Sequence, residues 1–142
     1  MGALIDTTTE FGARAARRLR QDRIGWLVTV SRDGSPQPNP VWFLWDGESI
    51  LVYSEPGRAK LRNIEANPRV ALHLDSRSSG DDIVIVIARG AVDPTAPPVH
   101  QNPAYAAKYR RQMARLGLGR PQEMAATYSV AIRLIPSKVR GF

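Results

Sequence analysis

Apolar positions along this chain recur with two different periods, and the switch between them marks out the elements. Phe11, Ala15 and Leu19 stand four apart among Arg14, Arg17, Arg18 and Arg20, after a start rich in Thr and Asp. This spacing predicts a capped amphipathic helix over Asp6–Gln21. From Ile24 to Ser31 the pattern becomes a β-branched and aromatic run that closes on Arg32-Asp33-Gly34, a hairpin signal. Strand character resumes over Val41–Trp45, turns at Asp46-Gly47 and continues through Ile50–Ser54. Pro36, Pro38 and Pro40 remove ladder donors between these runs, so the second strand's start must be an edge, a bulge or the floor of a ligand groove.

Gly57 to Ile64 reads as a tight turn and a short helix. Arg69–Asp75 and Ile83–Val92 are a fourth and fifth strand separated by the polar loop Ser76–Asp82. Asp93–Pro98 is a proline-rich break. Pro103–Leu116 then predicts a helix with Tyr105, Tyr109, Met113 and Leu116 near one side, ended by Gly117 and Gly119. A short helical piece at Gln122–Ala126 precedes a last strand, Tyr128–Ile135, and a basic tail. Six short antiparallel strands, mostly a local meander, with an N-terminal helix and an inserted helical segment fit a small closed barrel. Closure is how such a chain removes exposed edges. The expected fold class is mainly β, in one domain spanning residues 1–142.

The opening turn of the short helix changes the picture. Arg58, Lys60 and Arg62 crowd a helix start, where the backbone dipole disfavours each cation by ~0.3–1 kcal/mol unless an anion sits among them and the free N–H groups. The segment reads as a phosphate seat; the alternative is a solvated basic helix face. Across the chain 20 Lys and Arg oppose 13 Asp and Glu, and the net +7 favours anionic partners. Nucleic acid is one such partner, but the arginines are spread over both helices and the tail instead of forming one aromatic-interleaved stripe.

Inventory narrows the chemistry further. With no cysteine and only His73 and His100, thiolate chemistry is excluded and a histidine-rich metal site is not expected. No G-x-S-x-G, H-E-x-x-H, G-x-x-x-x-G-K-[ST] or strand-linked G-x-G-x-x-G occurs. Asp81-Asp82 reads as a solvated turn. No apolar span long enough for a membrane helix is present, nor an apolar N-terminal leader, so a cytoplasmic location is expected. A basic seat beside Asn39, Pro40, Val41, Trp42 and Phe43 remains. Together they suit a flat heteroaromatic cofactor whose phosphate is held by charge and whose ring lies on apolar walls. Trp26, Trp42 and Trp45 fit either a barrel core or such a wall.

Gly34-Ser35-Pro36-Gln37-Pro38-Asn39-Pro40-Val41-Trp42-Phe43, then Gly57-Arg58-Ala59-Lys60 and Asn67-Pro68-Arg69-Val70-Ala71, resemble the split β-barrel flavin and deazaflavin oxidoreductases. The likeness is to the pyridoxamine 5′-phosphate oxidase-like group of F420-dependent enzymes. It covers Ile24–Ile87 and the C-terminal Pro136–Gly141, leaving 93–126 as an insertion. It implies a homodimer with two cofactor sites at the subunit interface, each binding coenzyme F420 or FMN, and hydride transfer to an electrophilic small molecule.

By position in that pattern, Arg58, Ala59 and Lys60 would hold the phosphate, with Ser54 at the strand end and Asn63 one helical turn further on. Gln37, Asn39, Val41 and Trp42 would lie along the ring, and Lys138 and Arg140 would reach the acidic tail or the partner's site. No side chain is assigned as catalytic acid or base; Tyr53, Tyr105 and Tyr109 are candidates for protonating a product or for packing. Pyridoxamine phosphate oxidation itself is not expected, because the additional basic residues for the substrate phosphate are missing. A carrier that binds flavin or deazaflavin without turnover is the second alternative.

Overall fold

The computed structural model describes residues 4–142. Helix α1 (Glu10–Gln21) is shorter than the periodicity predicts because residues 6–9 form its capping turn. Asp6 accepts hydrogen bonds from the backbone and hydroxyl of Thr8, and the Thr9 hydroxyl accepts one from Gly12 N at 3.0 Å. Gly12 is required there, since a Cβ would lie 1.8 Å from the Asp6 carbonyl oxygen.

Seven strands follow instead of six: β1 (Gly25–Val30), β2 (Pro36–Val41), β3 (Leu44–Trp45), β4 (Ile50–Ser54), β5 (Arg69–Leu74), β6 (Val84–Val92) and β7 (Val130–Gly141). The extra strand arises because Pro36–Val41 is fully paired and the predicted Val41–Trp45 run is broken at Trp42-Phe43. The order β2-β1-β5-β6-β7-β4-β3 is antiparallel throughout but is not a meander, since only the β1–β2, β3–β4 and β5–β6 hairpins are local. Its two edges, β2 and β3, are joined by Trp42-Phe43 alone, so the sheet must curl round on itself. The edges do not pair with each other, and the barrel is split, not closed. The basic tail is the second half of β7, which continues past a bulge opposite Ile87/Ala88.

The three prolines explain the split. Ser31 N donates to Ser35 O at 2.9 Å, and from that pair inward every second residue of β2 faces β1 with its N–H and C=O. Gln37, Asn39 and Val41 fall on that phase. Pro36, Pro38 and Pro40 fall on the other, so the free edge of β2 carries carbonyls and no donors. Such an edge cannot extend the sheet.

Alternation in each strand separates two cores. Leu27, Phe43, Val52, Leu72, Val86, Ile132 and Leu134 fill the barrel interior with Ala15 and Leu19 of α1. Outside the barrel, Leu51 and Tyr53 of β4 pack under α3 (Pro103–Arg115) and α4 (Pro121–Thr127), meeting Tyr105, Tyr109, Met113 and Met124. In the expected solvated turn Asp81-Asp82, the Asp81 side chain does stay half exposed, but Asp82 is a staple. Asp82, at φ 59°, pairs with Arg14 at 2.8 Å and offers its carbonyl to Arg18 at 2.7 Å. Two of the α1 arginines are thereby used inside the molecule. Among the described residues no helix is long and apolar enough to cross a membrane, and no group of three metal-ligating side chains occurs.

Candidate functional site

The strand β4, the Gly57 turn (φ 77°) and helix α2 (Ala59–Ala66) place Arg58 as the helix N-cap, with no side-chain cap and no acidic residue in the first turn. The cations do not share one role. Arg58 pairs with Glu55, and Arg62 donates to the Gly57 carbonyl at 2.8 Å. Lys60 has neither hydrogen bond nor ion pair among the described residues, and burial, followed by the nearby Arg58 charge, pushes its amine below the usual lysine range. An unpaired, half-buried ammonium beside an uncapped helix start is a site that an anion would stabilise.

Two adjoining spaces open from this point. The outer one, about 450 Å³, is bounded by Asn39, Glu55, Arg58, Ala59 and Lys60. The inner one, about 240 Å³, lies between the outer face of β4 and the α3–α4 segment and is walled by Trp42, Tyr53, Tyr105 and Met124. Pro40, Lys60 and Tyr128 line both. Gln37 and Asn39 share the face of Leu27 and Thr29 but are exposed, because β2 is an edge next to α2. Val41 and Trp42 line the inner space.

The remaining predicted residues are placed elsewhere. Ser54 is buried, and its hydroxyl donates to the Glu55 carbonyl. Asn63 Nδ2 donates to Thr29 Oγ1 at 3.0 Å and ties α2 to β1, which holds the seat rigidly against the barrel. Lys138 and Arg140 stand opposite Ile87 and Ile85 on the outer face of the β6–β7 ladder and line neither space, so one chain does not bring them to the seat.

The three tyrosines form much of the wall. Tyr109 stacks on Trp42 at 4.6 Å, and its hydroxyl accepts from Phe43 N at 2.9 Å while lying 2.7 Å from the Arg23 carbonyl to which it donates. Tyr53 donates to the Pro97 carbonyl and accepts from Asn102 Nδ2. Burial raises all three phenols above their ordinary range. Lys108 completes the clamp on the edge-to-edge link, with Nζ 2.8 Å from the Phe43 carbonyl and 4.0 Å from the centre of the Phe43 ring. Burial pulls its amine down to about 8. Trp45 is core, whereas Trp26 lies on the outer sheet face and donates to Asp75 at 2.9 Å.

Leu116, Leu118, Met124 and Tyr128 complete the inner space and were not singled out as site residues from sequence. Gly117 and Gly119 around Leu118 were read only as a helix stop, although two apolar residues alternating with glycines at an exposed turn were a usable signal.

Residues 11–142 match the family described as pyridoxamine 5′-phosphate oxidase. The chain belongs to that family. Among solved structures, one described as an F420 reductase is 31% identical, with 87% of this chain and 94% of that chain covered and a TM-score of 0.63. A FAD-binding protein from Mesorhizobium loti is 19% identical over 89% and 88% of the two chains, with a TM-score of 0.63. The heme storage protein HutZ from Vibrio cholerae is 17% identical over 89% and 91%, with a TM-score of 0.61. The last two show the fold alone.

Proposed function

We propose that this family member is an oxidoreductase that binds a phosphate-bearing flavin-type cofactor, coenzyme F420 in preference to FMN, and reduces an electrophilic small molecule. The observation that carries this reading is the unpaired Lys60 ammonium between an uncapped, acid-free helix start and an apolar, aromatic-walled space. The residues fit such a group. Arg58, the Ala59 backbone and Lys60 would take the phosphate, and Gln37, Asn39, Val41 and Trp42 would lie along the ring, the last two on the wall of the inner space. When bound, the cofactor supplies the hydride, from C5 of the reduced deazaflavin or N5 of reduced FMN. The protein orients and excludes water, because its phenols are committed or raised and no acid–base pair lines either space.

F420 is preferred because of the 31% identical F420 reductase and the net charge of +7, which suits an acidic tail. Titrating the purified protein with both cofactors tests this. Tighter binding of FMN, or a yellow flavin retained through purification, contradicts the F420 choice, and binding of either without turnover of any acceptor supports the carrier alternative.

The working unit is proposed to be a homodimer, acting away from the membrane and in the cytoplasm. Trp26, Val28, Ala71, Ile85 and Ile87 share the outer sheet face, are only half-buried and belong to neither core. A second copy on that face makes Lys138 and Arg140 available to the other chain's cleft. Sedimentation should show a dimer that Ile87→Glu converts to monomer; a wild-type monomer would rule it out.

A further inference from the structure

We infer that the C-terminal end of β6, Gly90–Val92, is a docking edge for an extended acidic peptide of a partner protein, which adds there as a further strand. Nothing in this inference rests on the cofactor reading.

The edge is open because β6 outruns β5. Their pairing ends where Arg69 stands opposite Arg89, whereas β6 continues against β7 as far as Val92 opposite Ile132. Gly90 N donates to the Pro68 carbonyl at 2.8 Å, which fixes the phase: Gly90 and Val92 turn their backbone groups away from β7. Pro68 has no N–H to return, and the chain that would lie opposite Val92 has left the sheet as the end of α2. The Gly90 carbonyl and the Val92 N–H and carbonyl therefore have no hydrogen-bond partner among the described residues. An acceptor, a donor and an acceptor in a row along a strand edge are completed by another extended backbone. The β2 edge of a second copy cannot do so, since it has no donor for either carbonyl.

The surroundings of the edge select the peptide. An added strand alternates its side chains between two spaces that meet at Gly90–Val92. Towards α2 lies one of about 650 Å³, with apolar surface from Leu61, Ile64 and Val92, the last 49% exposed. On the outer sheet face lies one of about 520 Å³, bounded by Arg89 and by Ile135, which is 56% exposed. Arg69 and Arg89 face each other as a non-hydrogen-bonded cross-strand pair, the closer kind, and neither has an ion pair among the described residues. Like charges so placed are destabilising, and a carboxylate on the added strand relieves them. The other charges of the outer space, Arg133 and Asp93, are paired with each other at 3.2 Å. On the α2 side Arg58 and Arg62 are engaged by Glu55 and the Gly57 carbonyl, while Glu65 has no partner among the described residues, so acid is favoured on the outer face and apolar side chains towards α2.

Fluorescence anisotropy of a labelled, end-blocked pentapeptide alternating glutamate and valine, titrated with the full chain, tests the proposal. Saturable binding is expected to the wild type and equally to Ile87→Glu, and the Val92 amide should exchange with deuterium more slowly in the saturated complex. The same peptide N-methylated throughout its backbone, and a peptide alternating lysine and valine, should each bind about tenfold or more weakly. Arg89→Glu, which sets an acid opposite Arg69, should weaken binding by about tenfold or more without lowering the melting temperature, while Arg89→Lys preserves binding. Absence of saturable binding, equal binding of the N-methylated or lysine peptide, an unprotected Val92 amide, or insensitivity to Arg89→Glu overturns the docking edge. Binding by Ile87→Glu alone would mean that the edge is buried between copies of the chain, and self-association of Ile87→Glu abolished by Arg89→Glu would give the edge to a second copy; either result overturns the proposal.

Discussion

At the outer end of the cleft the decisive groups come from one turn and one helix, Ser54 to Asn63, and they act through charge. At the inner end they come from β2, β4, α3 and α4, far apart in the chain, and they act through packing. The seat leaves the Lys60 cation without a partner among the described residues. The wall leaves little unpaired: around Phe43 the backbone N–H and C=O, which no strand ladder takes up at the break in the sheet, are satisfied by Tyr109 and Lys108. Stability and binding are therefore separable here. Substitutions in the wall should cost folding, and substitutions in the seat should cost affinity.

The largest effect should come from the wall. Tyr109→Ala removes a fully buried ring that stacks on Trp42 and strips Phe43 N of its partner, so urea unfolding should show a loss of about 3–5 kcal/mol. Tyr109→Phe keeps the ring and leaves the buried N–H unsatisfied, for a loss of about 1–3 kcal/mol. If Tyr109→Ala proved neutral, the link between the sheet edges would not depend on α3.

Next comes the seat. Lys60→Ala should weaken cofactor binding by about 1.5–3 kcal/mol, the range for a hydrogen bond to a charged group, with unfolding unchanged. Arg58→Ala should do less than Lys60→Ala, because Arg58 already has Glu55 as a partner and is largely exposed. An equal loss of stability and affinity in Lys60→Ala would erase the distinction between the two regions.

The smallest effect is a pH slope in the wall. Lys108 sits near pKa 8 in the fold against an ordinary value of 10.5. Between those values the unfolded chain binds more protons than the folded one, so stability should rise with pH from about 8 towards 10. Above pH 10 the buried phenols of Tyr105 and Tyr109 stay neutral while the unfolded ones ionise, which reverses the slope. Lys108→Met should flatten the rise between pH 8 and 10; an unchanged slope would mean another group titrates there.

Sequence reasoning succeeded where interactions are local. The Arg32-Asp33-Gly34 hairpin, the Gly57 turn, the basic helix start and the proline edge are all decided by neighbours in the chain, and each was legible. It failed where partners are distant. Nothing near Val41–Trp45 announces that this run bridges the two edges of a sheet, since the groups that satisfy Phe43 lie on α3. The meander expectation failed for the same reason: β1 pairs with β5, and β4 with β7. The inner compartment was invisible because its faces meet only after α3 and α4 fold over β4. The structural role of Asp82 was hidden because its partners sit on α1.

On the proposed function, the Lys60 ammonium meets the cofactor phosphate. Affinities of a deazaflavin cofactor with its phosphate, and of the same ring system without it, measured on the wild type and on Lys60→Ala, isolate that one contact. The phosphate's contribution to binding should fall by roughly tenfold or more in the variant while the phosphate-free ligand binds both proteins alike. Equal weakening of the two ligands, or of neither, would contradict it.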